Sequence, residues 1–209
     1  MKMNRNNIIN LTGEFVRQRL AGFESGHDWS HVMRVRGLAL YINSQEQMCD
    51  AFTLEIAALL HDIADSKFTG DQESVYKVIS VFMFENGMSD ISGLVIEVIK
   101  NVSFSSKNQT GGSKDPLLMI LQDADRLDAI GAIGIARAFN YGGFRNRPIY
   151  SFVDDIQGTE SSTISHFYDK LLKLKDLMNT RTGRHIAEDR HAFLLAFLEQ
   201  FYKEWEFES

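Results

Sequence analysis

Cysteine is nearly missing from this chain: Cys49 stands alone among 209 residues. A single thiol excludes an intrachain disulfide framework and a thiolate metal cluster. Beside acidic Asp50 and without a histidine near it in sequence, Cys49 reads as a helix-end residue rather than a nucleophile. Proline is almost as scarce, with only Pro116 and Pro148, so little interrupts long helices. Positive charge is not in excess either. Twenty-two basic against 28 acidic residues give a net charge of −6, which offers no electrostatic footprint for a nucleic acid polymer. A small anionic substrate stays compatible with that balance, because a bound cation and a few local Arg or Lys side chains reverse the sign inside a pocket. No apolar run reaches membrane-spanning length, and the opening MKMNRNNIINL lacks the apolar core of a secretory leader. The expectation is a soluble cytoplasmic protein without a membrane partner.

What is present is ordinary globular material, 44% hydrophobic and 24% charged, enough for a sizeable core. Apolar residues recur at helical spacing, and strand-like alternation is too sparse for a sheet. The expected fold class is all-α. Helices are predicted over about 8–20, 52–64, 71–86, 89–100, 117–139, 162–177 and 184–205. Another begins near GHDWSHVMRVRGLALYI, with Asp28 or Ser25 as its cap and Val32, Val35, Leu38, Ala39 and Ile42 on one face. The segment 71–86 is stopped by Gly87, and Ser89 or Asp90 should cap the next helix. Pro116 suits the first turn of the long helix after it. Polar, glycine-bearing 103–115 reads as a loop, and 140–160 as irregular chain rich in Gly and Arg. The small residues Gly131, Ala132 and Gly134 would let helices approach closely. The partition expected is one domain over 1–209, with a motif-bearing core at about 25–147 and a helical extension at about 160–205.

The residues that carry chemistry interrupt the apolar helices. AALLHDIAD buries His61 and Asp62 at the end of an apolar run, with Asp65 one turn on. Adjacent imidazole and carboxylate are costly to bury unless something satisfies them. A metal ion does so, taking neutral nitrogen and ionised oxygen together; a self-satisfied core His–Asp pair is the plainer alternative. His31 lies on the apolar side of its own helix, and Asp123, Asp125 and Asp128 interrupt the helix after Pro116. Three apolar helices thus each bring metal-compatible groups. The helix after Pro116 is apolar on nearly every side, so its pattern does not choose between Asp123 and Asp125.

The order His, His-Asp, Asp, carried by GHDWSHVMRV, AALLHDIAD and LQDADRLDAIGAIGIARAF, resembles the HD superfamily of metal-dependent phosphohydrolases, in a small bacterial branch. The resemblance runs from about residue 27 to 147 and implies a helical bundle. It implies metal ligation by His31, His61, Asp62 and Asp125, the Ala-Asp-Arg phrase selecting Asp125, with Asp128 as a supporting or helix-contact residue. Members that hold two metals place extra histidines between the second and last ligands; none occurs here between His61 and Asp125, which points to one ion. Two imidazoles and two carboxylates suit Mn²⁺ foremost, and also Mg²⁺, Co²⁺, Ni²⁺ or Fe²⁺, better than closed tetrahedral zinc. Such an ion acidifies a bound water and polarises a phosphoryl oxygen.

Asp65, four residues after His61, is the candidate for orienting or deprotonating that water; a helix C-terminal carboxylate paired with Lys67 is the alternative. His27 resembles the family histidine ahead of the first ligand and is a candidate donor to a substrate phosphate, or a residue of the capping region. Lys67, Arg126, Arg145 and Arg147 are candidate phosphate contacts, against ordinary surface charge. Arg126 could instead hold neighbouring carboxylates. His166, His185 and His191 sit among polar neighbours and read as surface residues. The implied activity is hydrolysis of a small phosphorylated molecule, a nucleoside triphosphate cleaved to monophosphate and pyrophosphate. A nucleoside monophosphatase and a nucleotide-binding sensor are the alternatives. A homo-oligomer is left open.

Overall fold

The computed structural model describes residues 4–20, 28–63, 72–102, 115–151 and 162–207. Among them there are nine α-helices, one 3₁₀ helix and no strand, so the fold is all-α. The helices are α1 (Arg5–Arg19), α2 (Trp29–Glu46), α3 (Ala51–Leu60), α4 (Gln72–Glu85), α5 (Ser89–Asn101), α6 (Pro116–Asp128), α7 (Gly131–Phe144), α8 (Thr163–Asp169) and α9 (Arg181–Trp205). The 3₁₀ helix, Leu171–Leu177, lies between α8 and α9. The chain divides into two compact units, Met1–Ala124 and Asp125–Ser209. The motif-bearing stretch expected from the sequence spans that division.

In the first unit α3 is central, packing against α1, α2 and α5, while α4 packs on α5. Its sequence AFTLEIAALL explains why: Leu54, Ile56, Ala57, Ala58, Leu59 and Leu60 are all buried. Full burial of each large aliphatic side chain contributes roughly 1.5–3 kcal/mol. Asp50 caps the start of α3, its carboxylate accepting the Thr53 N–H at 2.9 Å and the Thr53 hydroxyl at 2.8 Å. On α2 the expected face is buried at Val32, Val35, Ala39 and Ile42, with Leu38 half-buried. Phe15 of α1 stacks on Phe82 of α4 at 4.1 Å. After α4, Gly87 takes φ +75°, and the Met88 N–H returns to the Met83 carbonyl at 2.8 Å, ending the helix where the sequence placed its stop. The expected Ser89 or Asp90 cap of α5 is displaced by one residue: Met88 holds that position without a side-chain bond. Pro116 opens α6 as expected, with Asp115 Oδ1 accepting the Leu117 N–H at 2.9 Å.

In the second unit α9 packs against α7 and the 3₁₀ helix, which also contacts α8. Aromatic rings fill the space. Phe167 stacks on Phe197 at 5.7 Å, Phe201 on Trp205 at 5.6 Å, and Tyr150 meets Trp205 edge-on at 5.2 Å.

Several expectations are corrected here. The helix predicted over 52–64 ends at Leu60, leaving His61 as its C-cap and 61–63 as a turn. The helix predicted over 117–139 is two, because Ile130 is extended (φ −125°, ψ 167°) and Gly131 takes φ +77°, a region glycine alone enters freely. The close approach expected of Gly134 is real but local, since a Cβ there would lie 2.2 Å from the Ala129 carbonyl oxygen across that same turn. Residues 140–144, expected to be irregular, complete α7. Finally, 162–177 breaks at Lys170, whose φ of −134° leaves the helical region, and α9 begins three residues early because Thr180 caps it through the Gly183 N–H at 2.9 Å. The expected loop 103–115 lies, but for Asp115, outside the described residues. No helix of the described residues is long and apolar enough to cross a membrane.

Candidate metal centre

Helices α2 and α3 form the frame of the site. Asn43, near the end of α2, closes the connection between them: its Oδ1 accepts the N–H groups of Met48 and Cys49 at 3.1 and 3.2 Å, and its Nδ2 donates to the Cys49 carbonyl at 3.0 Å. The start of α2 and the end of α3 therefore meet at the other end of the pair. His31 enters from the first turn of α2, where Asp28 caps the helix and its Oδ1 accepts the His31 N–H at 2.8 Å. His61 and Asp62 enter from the turn that ends α3.

One potential ligand atom from each of His31, His61 and Asp62 lies within 4.8 Å of the others, and the residues are 0%, 6% and 5% exposed. The two imidazole Nε2 atoms are 3.3 Å apart, and His31 Nε2 is 3.9 Å from Asp62 Oδ2. His61 Nδ1 lies 2.7 Å from the Ala58 carbonyl oxygen. A carbonyl only accepts, so Nδ1 carries the proton, and Nε2 of the neutral ring turns its lone pair toward His31. That is the tautomer a metal needs, fixed by a bond on the far side of the ring. Two imidazole nitrogens bound at about 2.1 Å and at a right angle would lie about 3 Å apart, so the observed spacing suits one ion. Without an ion the same pair is satisfied when His31 donates its Nε2 proton to His61. A bound ion would take the place of that proton. The donor set, two imidazoles and a carboxylate, fits a divalent cation.

The other expected residues fall in different places. Asp65, Lys67 and His27 lie outside the described residues. In the C-terminal half of α6, Asp123 is fully buried and Asp125 half-buried. Asp128 is buried and pairs with Arg137 of α7 at 2.6 Å, a helix contact within the second unit. Arg126 is buried rather than a surface charge, and its Nη1 donates to the Leu177 carbonyl at 2.5 Å. Arg145 is exposed and ends α7, its N–H directed at the Tyr141 and Gly143 carbonyls. Arg147 is half-buried, with its guanidinium carbon 5.9 Å from the Tyr141 ring centre.

The reading of all three C-terminal histidines as surface residues holds for His185, which is exposed, while His166 is half-buried. It fails for His191: this residue is half-buried, its Nδ1 is buried without a hydrogen-bond partner among the described residues, and burial together with Lys175 pushes its pKa down. Two features of the helices that frame the site were missed. The Ala58 carbonyl has no signature in side-chain identity. Glu55 did have one, as the only charged residue of α3; it pairs with Arg36 of α2.

Residues 28–130 match the HD domain family. The chain is 42% identical to the YpgQ protein of Bacillus subtilis over 194 residues, covering 91% of this chain and 90% of that protein. A viral protein, L803 of Acanthamoeba polyphaga mimivirus, is 32% identical over 210 residues, covering 83% and 86% of the two chains. Among solved structures, B. subtilis YpgQ in complex with ADP superposes with a TM-score of 0.77 at 35% identity, covering 94% of this chain and 97% of that one. An HD-superfamily hydrolase from Bacillus thuringiensis superposes with a TM-score of 0.79 at 40% identity, covering 97% and 99%. Histidines and aspartate of the HD motif converge in a helical fold shared over almost its whole length with these relatives, and the chain belongs to the HD superfamily of hydrolases.

Proposed function

We propose that this chain is a metal-dependent phosphohydrolase that cleaves a nucleoside triphosphate to the monophosphate and pyrophosphate. The observation that carries the reading is the convergence of His31, His61 and Asp62, with the His61 tautomer preset by Ala58. Nucleotide as the substrate class is supported by the ADP complex of B. subtilis YpgQ. Asp125 is the proposed fourth ligand, and Mn²⁺ the proposed ion, with Mg²⁺, Co²⁺, Ni²⁺ and Fe²⁺ able to substitute in an oxygen and nitrogen site of this kind. When bound, the ion supplies an acidified water and a Lewis acid for the phosphoryl oxygen.

The chain's own residues do the rest. Asp65 orients the attacking water or takes its proton. Water adds at the α-phosphorus, the bond from that phosphorus to the bridging oxygen breaks, and pyrophosphate leaves. His27 donates to a substrate phosphate, and Lys67, Arg145 and Arg147 spread positive charge around the transferring group. Arg126 has one nitrogen committed to Leu177, so a phosphate contact would use the rest of its guanidinium. The partner is a small phosphorylated molecule rather than a nucleic acid polymer, in keeping with the net charge of −6.

The test is a panel of nucleoside mono-, di- and triphosphates with Mn²⁺, products identified by phosphorus NMR. Pyrophosphate from triphosphates is the expected result. Inorganic phosphate from monophosphates would make the protein a nucleoside monophosphatase. Binding of nucleotide and metal without turnover under any divalent ion would make it a sensor.

A further inference from the structure

Helix α3 reads AFTLEIAALL and carries one charged side chain, Glu55, between buried Leu54 and Ile56. That side chain is only 12% exposed, and its Oε1 accepts hydrogen bonds from both Nε and Nη2 of Arg36 on α2. Arg36 keeps 29% of its side chain exposed, so one charge is largely and the other partly removed from water; apolar residues of similar volume commonly hold such a place at equal or better stability. Stability therefore does not account for an ion pair set into the most apolar helix of the unit.

Its position does. Arg36 follows His31 by five residues and Glu55 precedes His61 by six. At 1.5 Å per residue these are roughly 7.5 and 9 Å along the helix axes. The far end of the helix pair is pinned at Asn43. From there the two helices run to the site, where the 3.3 Å between the histidine Nε2 atoms depends on their register and spacing. Apolar packing is non-directional and tolerates sliding. Two guanidinium nitrogens held on one carboxylate oxygen do not.

We propose that the Arg36–Glu55 pair is a positioning device for the metal centre, holding α2 and α3 in the register that brings the Nε2 atoms of His31 and His61 onto one divalent ion. The proposal deepens, and rests on, the reading of His31, His61 and Asp62 as metal ligands. Arg36 and Glu55 act through those residues and touch neither ion nor substrate.

The experiment is a Mn²⁺ titration of the full chain, with free Mn²⁺ followed by electron paramagnetic resonance, beside thermal unfolding without metal. The double variant Arg36→Met/Glu55→Leu is expected to unfold at the wild-type temperature or above it, yet to bind Mn²⁺ roughly tenfold more weakly. The reversed pair Arg36→Glu/Glu55→Arg should recover most of that loss. Should the apolar double variant not fold, Glu55→Gln keeps the shape, removes the charge, and should weaken Mn²⁺ binding by a smaller factor. Wild-type affinity in a folded double variant or in Glu55→Gln overturns the proposal, whatever the unfolding temperature does. An Asp62→Ala sample run in parallel separates the two levels. If Asp62→Ala alone loses Mn²⁺, only the role of the ion pair falls; if Asp62→Ala binds Mn²⁺ like wild type, the metal centre falls and takes the pair with it.

Discussion

At His61 the two ring nitrogens are sorted before any ligand arrives: one is spent on a backbone carbonyl and the other is presented to His31. Asp62, no less buried, brings the carboxylate that two imidazoles lack. Asp62→Ala should therefore abolish both metal retention and hydrolysis, measured by elemental analysis and by nucleotide turnover; full metal occupancy in that variant would remove Asp62 from the site. If Asp65 takes a proton from the attacking water, Asp65→Asn should lower kcat by about 10²–10⁴-fold while Mn²⁺ and nucleotide affinities stay as they are. A rate within about twofold of wild type would exclude Asp65 from the chemistry. Cys49 is the opposite kind of residue. Burial first, then Asp115 and Asp50, pushes its thiol up to about 11, from 9.0. The raised value keeps it protonated at pH 8, so its alkylation by iodoacetamide should be about a hundredfold slower in the native protein than in urea. Equal rates in the two states would contradict the burial of that thiol.

At the scale of elements, the start of α2 matters more than its length. Asp28 caps the helix through the backbone of a proposed ligand, His31. Asp28→Ala should cost about 1 kcal/mol in urea unfolding, whereas Asp28→Asn, an equally good cap, should cost little. Equal losses would mean that the charge of Asp28, not its capping bond, is what α2 needs. The connection from α6 to α7 shows where element reading from sequence stops. LQDADRLDAIGAIGIARAF is apolar and helical throughout by pattern, and glycine within such a run is tolerated in many helices. What divides it is one positive φ at Gly131, with the Arg190 side chain packed so closely that a Cβ there would lie 3.0 Å from its Cγ. Arg190 lies 59 residues further along the chain, and no local signal announces it.

For the molecule as a whole, a ligand that binds only the folded state raises its stability by mass action. With Mn²⁺ at a hundred times its dissociation constant, one site should add about 2.7 kcal/mol to the unfolding free energy. The expected stoichiometry is one ion per chain, chelation should reverse the gain, and Asp62→Ala should show none of it. A titration that saturates at two ions, or a gain that survives in Asp62→Ala, would refute a single centre built on these residues.

Read alone, the sequence determined the all-α class, the HD motif and the two histidines and aspartate that converge. Buried ionisable groups in apolar helices are costly without a partner, which marked His31, His61 and Asp62 locally; the resemblance to the HD superfamily is what joined them into one site. It also placed the stop at Gly87 and the start at Pro116, and offered Asp28 or Ser25 as the cap of α2, of which the structure takes Asp28, because backbone conformation at such points follows from one or two residues. Only the tertiary structure decided that Ala58 sets the tautomer of His61, that Glu55 pairs across to Arg36, that Arg126 reaches Leu177, and that His191 hides a nitrogen from water. The last three depend on groups brought close by packing, often from far along the chain; the first is local and depends on the orientation the His61 ring takes in the turn that ends α3. Hydrophobic periodicity says which face turns inward; it does not say what that face meets.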